Sequence, residues 1–257
     1  MKPEKLAHQI HHRIFSGLKR ERPSSPNLWI GCLGLALGLV FLTGTARADT
    51  AGYFKFDTFP GGNANFSDDT GRGLRGLLGF PFSQPKSLAG PSGKAGDFAV
   101  SFDGKGALVV DDSAKQVLNI QKAPLTLECW TRSANYLGVH VGLISYGVPG
   151  GQPASRGPGG YKLGVHPNGN ILFTLFAVVD VDSGVPFPFD GEWHHVASSY
   201  SLADGGVHFY LDGSEVSFIP ETGAFKPPGT RQLDIGVQFT GLGRWPGAVM
   251  AVGGAAW

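Results

Sequence analysis

Apolar and polar positions alternate in short runs along this 257-residue chain, and no long stretch repeats with a 3.6-residue period. "APLTLECWTRS" (123–133) shows the alternation plainly. Other short runs, alternating or apolar, are "GYFKFD" (52–57), "VGLISYG" (141–147), "DGEWHHVASSY" (190–200), "RQLDIGVQ" (231–238) and "WPGAVMAV" (245–252). Three longer runs read as hairpins. "DFAVSFDGKGALVVDD" (97–112) is one; "YKLGVHPNGNILFTLFAVVD" (161–180) turns at Asn168-Gly169, and "GVHFYLDGSEVSFI" (206–219) turns at Asp212-Gly213. Thr58 to about Gly96 is polar and glycine-rich, and "VPGGQPASRGPGG" (148–160) is too rich in breakers for regular structure. About a dozen strands without a strong helix predict an all-β, two-sheet antiparallel sandwich.

Composition agrees. Forty glycines and 18 prolines suit many tight turns, while 42% hydrophobic against 16% charged residues supplies a core and argues against disorder. The first 48 residues differ from the rest. A basic leader precedes "LWIGCLGLALGLVFLTG" (28–44), uncharged, and "ARA" (46–48). That order is a secretory signal with its cleavage site; the apolar run is also near the length of an uncleaved membrane anchor. Either way the basic side stays in the cytoplasm, and the chain after Ala48 is exported to the periplasm, cell surface or medium. The domain plan is thus 1–48 as signal peptide or anchor and 49–257 as one folded domain, whose only tie to a membrane is that segment. Residues 49–257 hold 14 Lys and Arg against 18 Asp and Glu, a net of −4, which gives no basic footprint for nucleic acid. Cys32 lies in the leader and Cys129 in "LTLECW", so the exported part cannot form an internal disulfide; Cys129 reads as a small apolar filler.

Adjacent His194 and His195 raise the question of a metal or catalytic site. On a strand, neighbours point to opposite faces. The two rings then face apart and belong to a wall, with Trp193 beside them and Asp212 at the next turn.

"YFKFD", "DDTG", "GKAGDFAVSFDGKGALVV", "LTLECW", "GYKLGVHPNGNILFTL", "DGEWHHVASSY", "VHFYLDGSEV" and "LDIGV" occur in that order. Together they resemble the laminin G-like, concanavalin A-like jelly-roll family, from about Gly52 to Val237. The resemblance implies a jelly-roll sandwich and a binding or spacing role, with Trp193 to Ala197 as a strand that packs it. One departure stands out: Met250 and Ala251 occupy the place of the family's acidic pair in the last strand. The "GGAAW" ending (253–257) reads as a truncated or frame-shifted end of a longer protein.

Calcium is the candidate cofactor, through rim carboxylates such as Asp57, Asp69 and Asp111, with Asp68 and Asp112 beside them. "DVDSG" (180–184) adds a loop-like pair two apart but lacks the later positions of an EF-hand. Tyr136, Phe187, Phe189 and Trp245 are the candidate aromatic platform for a glycan. No E-x-D-x-x-E or E-x-D-x-E run is present; Glu128, Glu192, Glu215 and Glu221 are isolated, so paired-carboxylate glycoside hydrolysis is not expected. Asn65-Phe66-Ser67 is a glycosylation sequon with meaning only in a eukaryotic host. The expectation is an exported, non-catalytic module that recognises carbohydrate or a surface protein; a purely structural spacer is the alternative, and a jelly-roll hydrolase or lyase the third.

Overall fold

"LTLECWTR" becomes β7 (Leu125–Arg132), whose residues are alternately buried and half-buried along its whole length. In the computed structural model the described residues are 49–57, 66–78, 86–104, 106–114, 116–120, 124–147, 159–221, 223, 226, 232–239 and 242–256. Their regular structure is all β. The leader and the 148–158 loop lie outside them.

Before β7 come β1 (Asp49–Phe54), β2 (Phe66–Ser67), β3 (Arg75–Leu78), β4 (Lys86–Ala89), β5 (Phe98–Ser101) and β6 (Leu108–Asp111). After it come β8 (Val141–Tyr146), β9 (Tyr161–Val165), β10 (Asn170–Leu175), β11 (Val179–Pro186), β12 (His194–Ser201), β13 (Gly206–Leu211) and β14 (Ser214–Pro220). The chain finishes with β15 (Gln232–Ile235), β16 (Val237–Phe239), β17 (Leu242–Arg244) and β18 (Ala248–Ala256). Sheet I has the order β14-β13-β12-β7-β18-β5-β4, with β1 also paired to β18. Sheet II runs β11-β10-β9-β8-β15-β6-β3-β2, and β16-β17 form a separate ribbon. Every pairing is antiparallel. The jelly-roll sandwich expected from the sequence is the fold observed.

The core lies between the sheets. Leu125, Leu127 and Cys129 of β7, Val196 and Tyr200 of β12 and Phe209 of β13 meet Ile144, Tyr146, Tyr161, Leu163, Phe173 and Ile235 of sheet II. Full burial of an aliphatic or aromatic side chain contributes about 1.5–3 kcal/mol, so this layer dominates the fold's stability. Cys129 is fully buried, and burial pushes its thiol well up, away from the reactive thiolate.

Four local readings change. Residues 97–112 do not form a hairpin: β5 joins sheet I and β6 joins sheet II, so "FDGKG" is a crossing between sheets. The polar stretch 58–96 contributes β2, β3 and β4. "DVDSG" lies on β11, not in a loop, and turns the second hairpin into a three-stranded meander. "RQLDIGVQ" breaks into β15 and β16 at Gly236, whose φ of 79° favours glycine.

The face of sheet II turned from the core carries a polar row. Asp234, Ser145, Lys162, Thr174 and Asp180 are successive register partners on β15, β8, β9, β10 and β11. All but Asp180 are buried.

Candidate recognition site at one end of the sandwich

Four connections are tied together at one end of the sheets. Ser133, just after β7, donates its hydroxyl to the Pro246 carbonyl at 3.0 Å, and its own carbonyl accepts the Gly191 amide at 3.2 Å. Gly169, at the tip between β9 and β10, accepts the Phe187 amide at 2.9 Å. That tip closes by Gly169 N–H donating to the His166 carbonyl at 2.8 Å, with Gly169 at φ 93°.

These ties bring the four sequence-chosen aromatics into one cluster. Tyr136 lies 5.3 Å from Phe189, Phe189 4.8 Å from Phe187, and Phe187 meets Trp245 edge-on at 5.2 Å. Their roles differ. Trp245 and Phe187 are buried in the core, Phe189 is half-buried against it, and Tyr136 is 46% exposed. The inner three hold Tyr136 at the surface, and Leu137 and Val139 beside it are also exposed. A Cβ on Gly169 would stand 3.7 Å from the Tyr136 ring, so the hairpin tip touches that ring.

Polar groups adjoin the tip. One Asp182 oxygen accepts the Asn168 amide at 2.6 Å; the other accepts the Asn170 amide and the Gly184 N–H, both at 2.8 Å. Burial opposes the Asp182 charge, but these donors and His166, 3.9 Å away, outweigh it and hold the carboxyl below its ordinary pKa. His166 stacks edge-on with His140 at 4.9 Å. Burial, then the nearby Lys162 charge, keeps His140 low and neutral. The hairpin tip thus has an exposed ring beside Gly169, and an ionised carboxylate with two fixed amides on the residues that flank that glycine. Sequence reasoning missed Asn168, Asn170 and Asp182 because "DVDSG" read as a loop; on β11 its alternation places Asp182 beside the hairpin tip.

His194 and His195 face apart. His194 Nδ1 is 2.8 Å from Asp212 and its Nε2 3.2 Å from Asp190. His195 packs against Trp130 with the rings tilted, centroids 5.4 Å apart, and stands 3.5 Å from Glu128. Neither ring belongs to the apolar core. Asp212 also accepts the His195 amide at 2.9 Å, which ties the β13–β14 turn to β12. Trp193 stacks under Arg132 at 5.3 Å.

Most of the candidate metal carboxylates accept backbone donors. Asp68 accepts the Tyr53, Thr70 and Arg72 amides, Asp69 that of Lys55, and Asp111 that of Ser113. Buried Asp112 accepts Val117 and Leu118 amides and the Tyr146 hydroxyl. Asp57 is exposed after β1. Among the described residues no three His, Cys, Asp or Glu side chains converge to hold a metal ion.

Comparison with known proteins points to the same fold. The family model described as the concanavalin A-like lectin/glucanases superfamily, Laminin G type 3, matches residues 102–252. No curated protein sequence matches the chain. Domain 4 of AbnA, a GH43 extracellular arabinanase from Geobacillus stearothermophilus, is similar with a TM-score of 0.60 at 16% identity, covering 81% of this chain and 93% of that one. The botulinum neurotoxin serotype G binding domain is similar with a TM-score of 0.56 at 12% identity, covering 80% of this chain; this chain spans 47% of that one. A Trypanosoma rangeli sialidase is similar at 0.53 and 14% identity, covering 79% of this chain and 30% of the sialidase.

Proposed function

This chain belongs to the concanavalin A-like lectin/glucanase superfamily, and from that premise we propose that it is an exported, non-catalytic module that recognises carbohydrate at the end of the sandwich. The observation that carries the reading is the exposed Tyr136 ring beside Gly169, at the hairpin tip whose flanking residues Asn168 and Asn170 are fixed by Asp182. A phenol ring offers an apolar face to sugar C–H groups and a polar tip to hydroxyls. An ionised carboxylate with oriented amides offers acceptors and donors at fixed spacing. Structural neighbours support the class of ligand: the arabinanase domain was solved in complex with arabinotriose, and a botulinum neurotoxin binding domain with SialylT.

The non-catalytic part rests on the site's chemistry. Asp182 is held ionised by its donors, which disfavours it as a proton donor to a leaving group. Exposed Leu137 and Val139 favour a second reading, a surface protein as partner. Calcium support remains a separate proposal, with Asp57 and Asp69 as ligands near each other beside Tyr53.

A glycan array with the purified chain tests the main reading. Saturable binding is expected, weakened about tenfold, or 1.4 kcal/mol, by Tyr136→Ala. Unchanged binding in that variant would remove the rim site, and an empty array leaves the protein or spacer readings. Melting with and without millimolar calcium tests the ion: a bound ion raises Tm by mass action.

A further inference from the structure

We propose that the β9–β10 hairpin tip is an acid-operated latch on the rim: a proton taken up by His166 at Nδ1 unfastens Asn168 and lets the rim release its glycan. The latch rests on the carbohydrate reading of the rim and gives that site its regulation.

The connection from β7 to β8 leans on this hairpin at two points. Tyr136 lies with its ring beside Gly169, and His140, where the connection enters β8, packs edge-on against His166 with centroids 4.9 Å apart. The hairpin is closed by its backbone. His166 N–H donates to the Asn170 carbonyl at 2.9 Å, and Gly169 N–H to the His166 carbonyl at 2.8 Å. Asn168 is fastened twice. Its N–H donates to His166 Nδ1 at 3.3 Å, and its side-chain amide donates to Asp182 Oδ2 at 2.6 Å. A ring nitrogen that accepts a hydrogen bond carries no proton, so the proton of the neutral ring sits on Nε2.

Both fastenings answer to one proton. The Asp182 Oδ2 that holds the Asn168 amide also lies 3.9 Å from His166 Nδ1. A proton on Nδ1 turns that acceptor into a donor. It cancels the bond from Asn168 N–H, because two donors then face each other. It also gives Oδ2 a charged competitor for the Asn168 amide. Asn170 keeps its amide on the other Asp182 oxygen at 2.8 Å, so the tip loosens without unfolding. Gly169 follows Asn168 in the chain, and the surface beside the Tyr136 ring moves with it.

The charged and titratable groups around the latch come from three elements. His140 belongs to the β7–β8 connection, Lys162 to β9, and Asp180 and Asp182 to β11. Imidazole is the side chain that ordinarily exchanges protons between about pH 5 and 8. Burial, then the Lys162 charge, keeps His140 low, and its buried Nδ1 has no hydrogen-bond partner among the described residues. Of the two rings, only His166 turns a nitrogen to a carboxylate. Burial opposes the Asp182 charge, but its donors and His166 hold it below its ordinary range, so it stays ionised while imidazoles gain protons. Burial brings Lys162 down to about 8, so it is already largely charged at neutral pH and changes little below it.

Two measurements on the purified full chain test the latch. Nuclear magnetic resonance of the ligand-free chain reads the tip. The Nε2–H tautomer of His166 is expected at about pH 7.5, and the Asn168 and Gly169 amide signals are expected to move with the His166 Cε1 proton down to about pH 5.5. Calorimetric titration with arabinotriose, a neutral sugar with no titrating group, reads the rim. Each protein gives one ratio, its affinity at the higher pH over that at the lower. Wild type is expected to weaken about tenfold on acidification, the scale of one hydrogen bond to a charged group. His166→Asn places a carbonyl oxygen where Nδ1 stands and takes up no proton, so its ratio should be close to one and its tip amides should stay in place. His140→Phe keeps an aromatic ring and should keep the wild-type ratio. Far-UV spectra matching wild type confirm that both variants fold. An Nδ1–H tautomer at the higher pH, or tip amides that ignore the His166 titration, overturns the latch. So does equal wild-type binding at the two pH values, or a His166→Asn ratio equal to that of wild type. A ratio of one in His140→Phe overturns the assignment to His166. Amides that follow His166 in a chain that binds no arabinotriose at either pH support the moving tip and overturn only the rim as a site for this sugar.

Discussion

His194 sits between two carboxylates, and that placement makes stability depend on pH with a definite sign. Burial works against the charged ring, but hydrogen bonds and charge from Asp212 and Asp190 outweigh it and lift its pKa above the ordinary 6.5. A group whose folded pKa is raised in this way contributes fully below the unfolded value and loses its contribution as pH climbs through the folded one. His194→Gln should therefore lower Tm clearly at about pH 5.5 and far less at about pH 8.5; an equal loss at both would dismiss the ion pairs. Asp234 behaves in the opposite sense. Burial lifts its carboxyl to about 6, with the Gln232 amide only partly offsetting it. Ionising it in the fold costs stability, so the cost grows from about pH 4 and is complete above about pH 6. Asp234→Asn should stabilise the chain near pH 7.5 by up to about 3 kcal/mol, two pKa steps, and leave it unchanged near pH 3.5. Parallel urea titrations at the two pH values decide it.

Elements were legible where the local chain alone chooses its shape. The Asp212-Gly213 turn puts both residues at positive φ, 50° and 79°, as a two-residue hairpin needs, and β13 and β14 pair as read. Asn168-Gly169 likewise marks the β9–β10 tip, where only the glycine takes positive φ. Legibility failed where tertiary pairing decides. "FDGKG" carries a turn signal, yet no local rule says whether the chain doubles back or crosses to the other sheet. Asp180 and Asp182 carry weak β propensity, and only pairing with Phe173, Thr174 and Leu172 makes them strand. The candidate site shared that fate: its aromatics were visible as residue types, while its carboxylate was hidden by the misread β11. Close approach of strands was equally invisible. A Cβ on Gly164 would lie 2.0 Å from the Val141 carbonyl oxygen, beside the irregular step between Gly142 and Ile144. Gly164→Ala must push β8 and β9 apart, with an expected loss of about 3 kcal/mol; an unchanged urea midpoint would show that the two strands yield freely.

At the scale of the whole molecule, the first and last described strands meet in one sheet. β18 pairs with β7 along one side; on the other it pairs with β5 at Ala248 and Val249 and with β1 from Val252 to Ala256. Met250 and Ala251, in place of the family's acidic pair, fall at the irregular step of β18, between the part paired with β5 and the part paired with β1. The inward residues Val249 and Val252 of β18 enter the same core as Phe54 of β1. Sheet I is thus closed by a contact between segments some two hundred residues apart, which must form late, since loop-closure entropy precedes the reward of long-range pairing. Without β18, β7 would lose its partner on one side, and β1 and β5 would each lose their link to β7. A chain ending at Gly247 should therefore lose cooperative unfolding altogether rather than melt a few degrees lower. Calorimetry reads the difference: a single sharp endotherm in the shortened chain would mean that β1 to β17 fold without their closing strand.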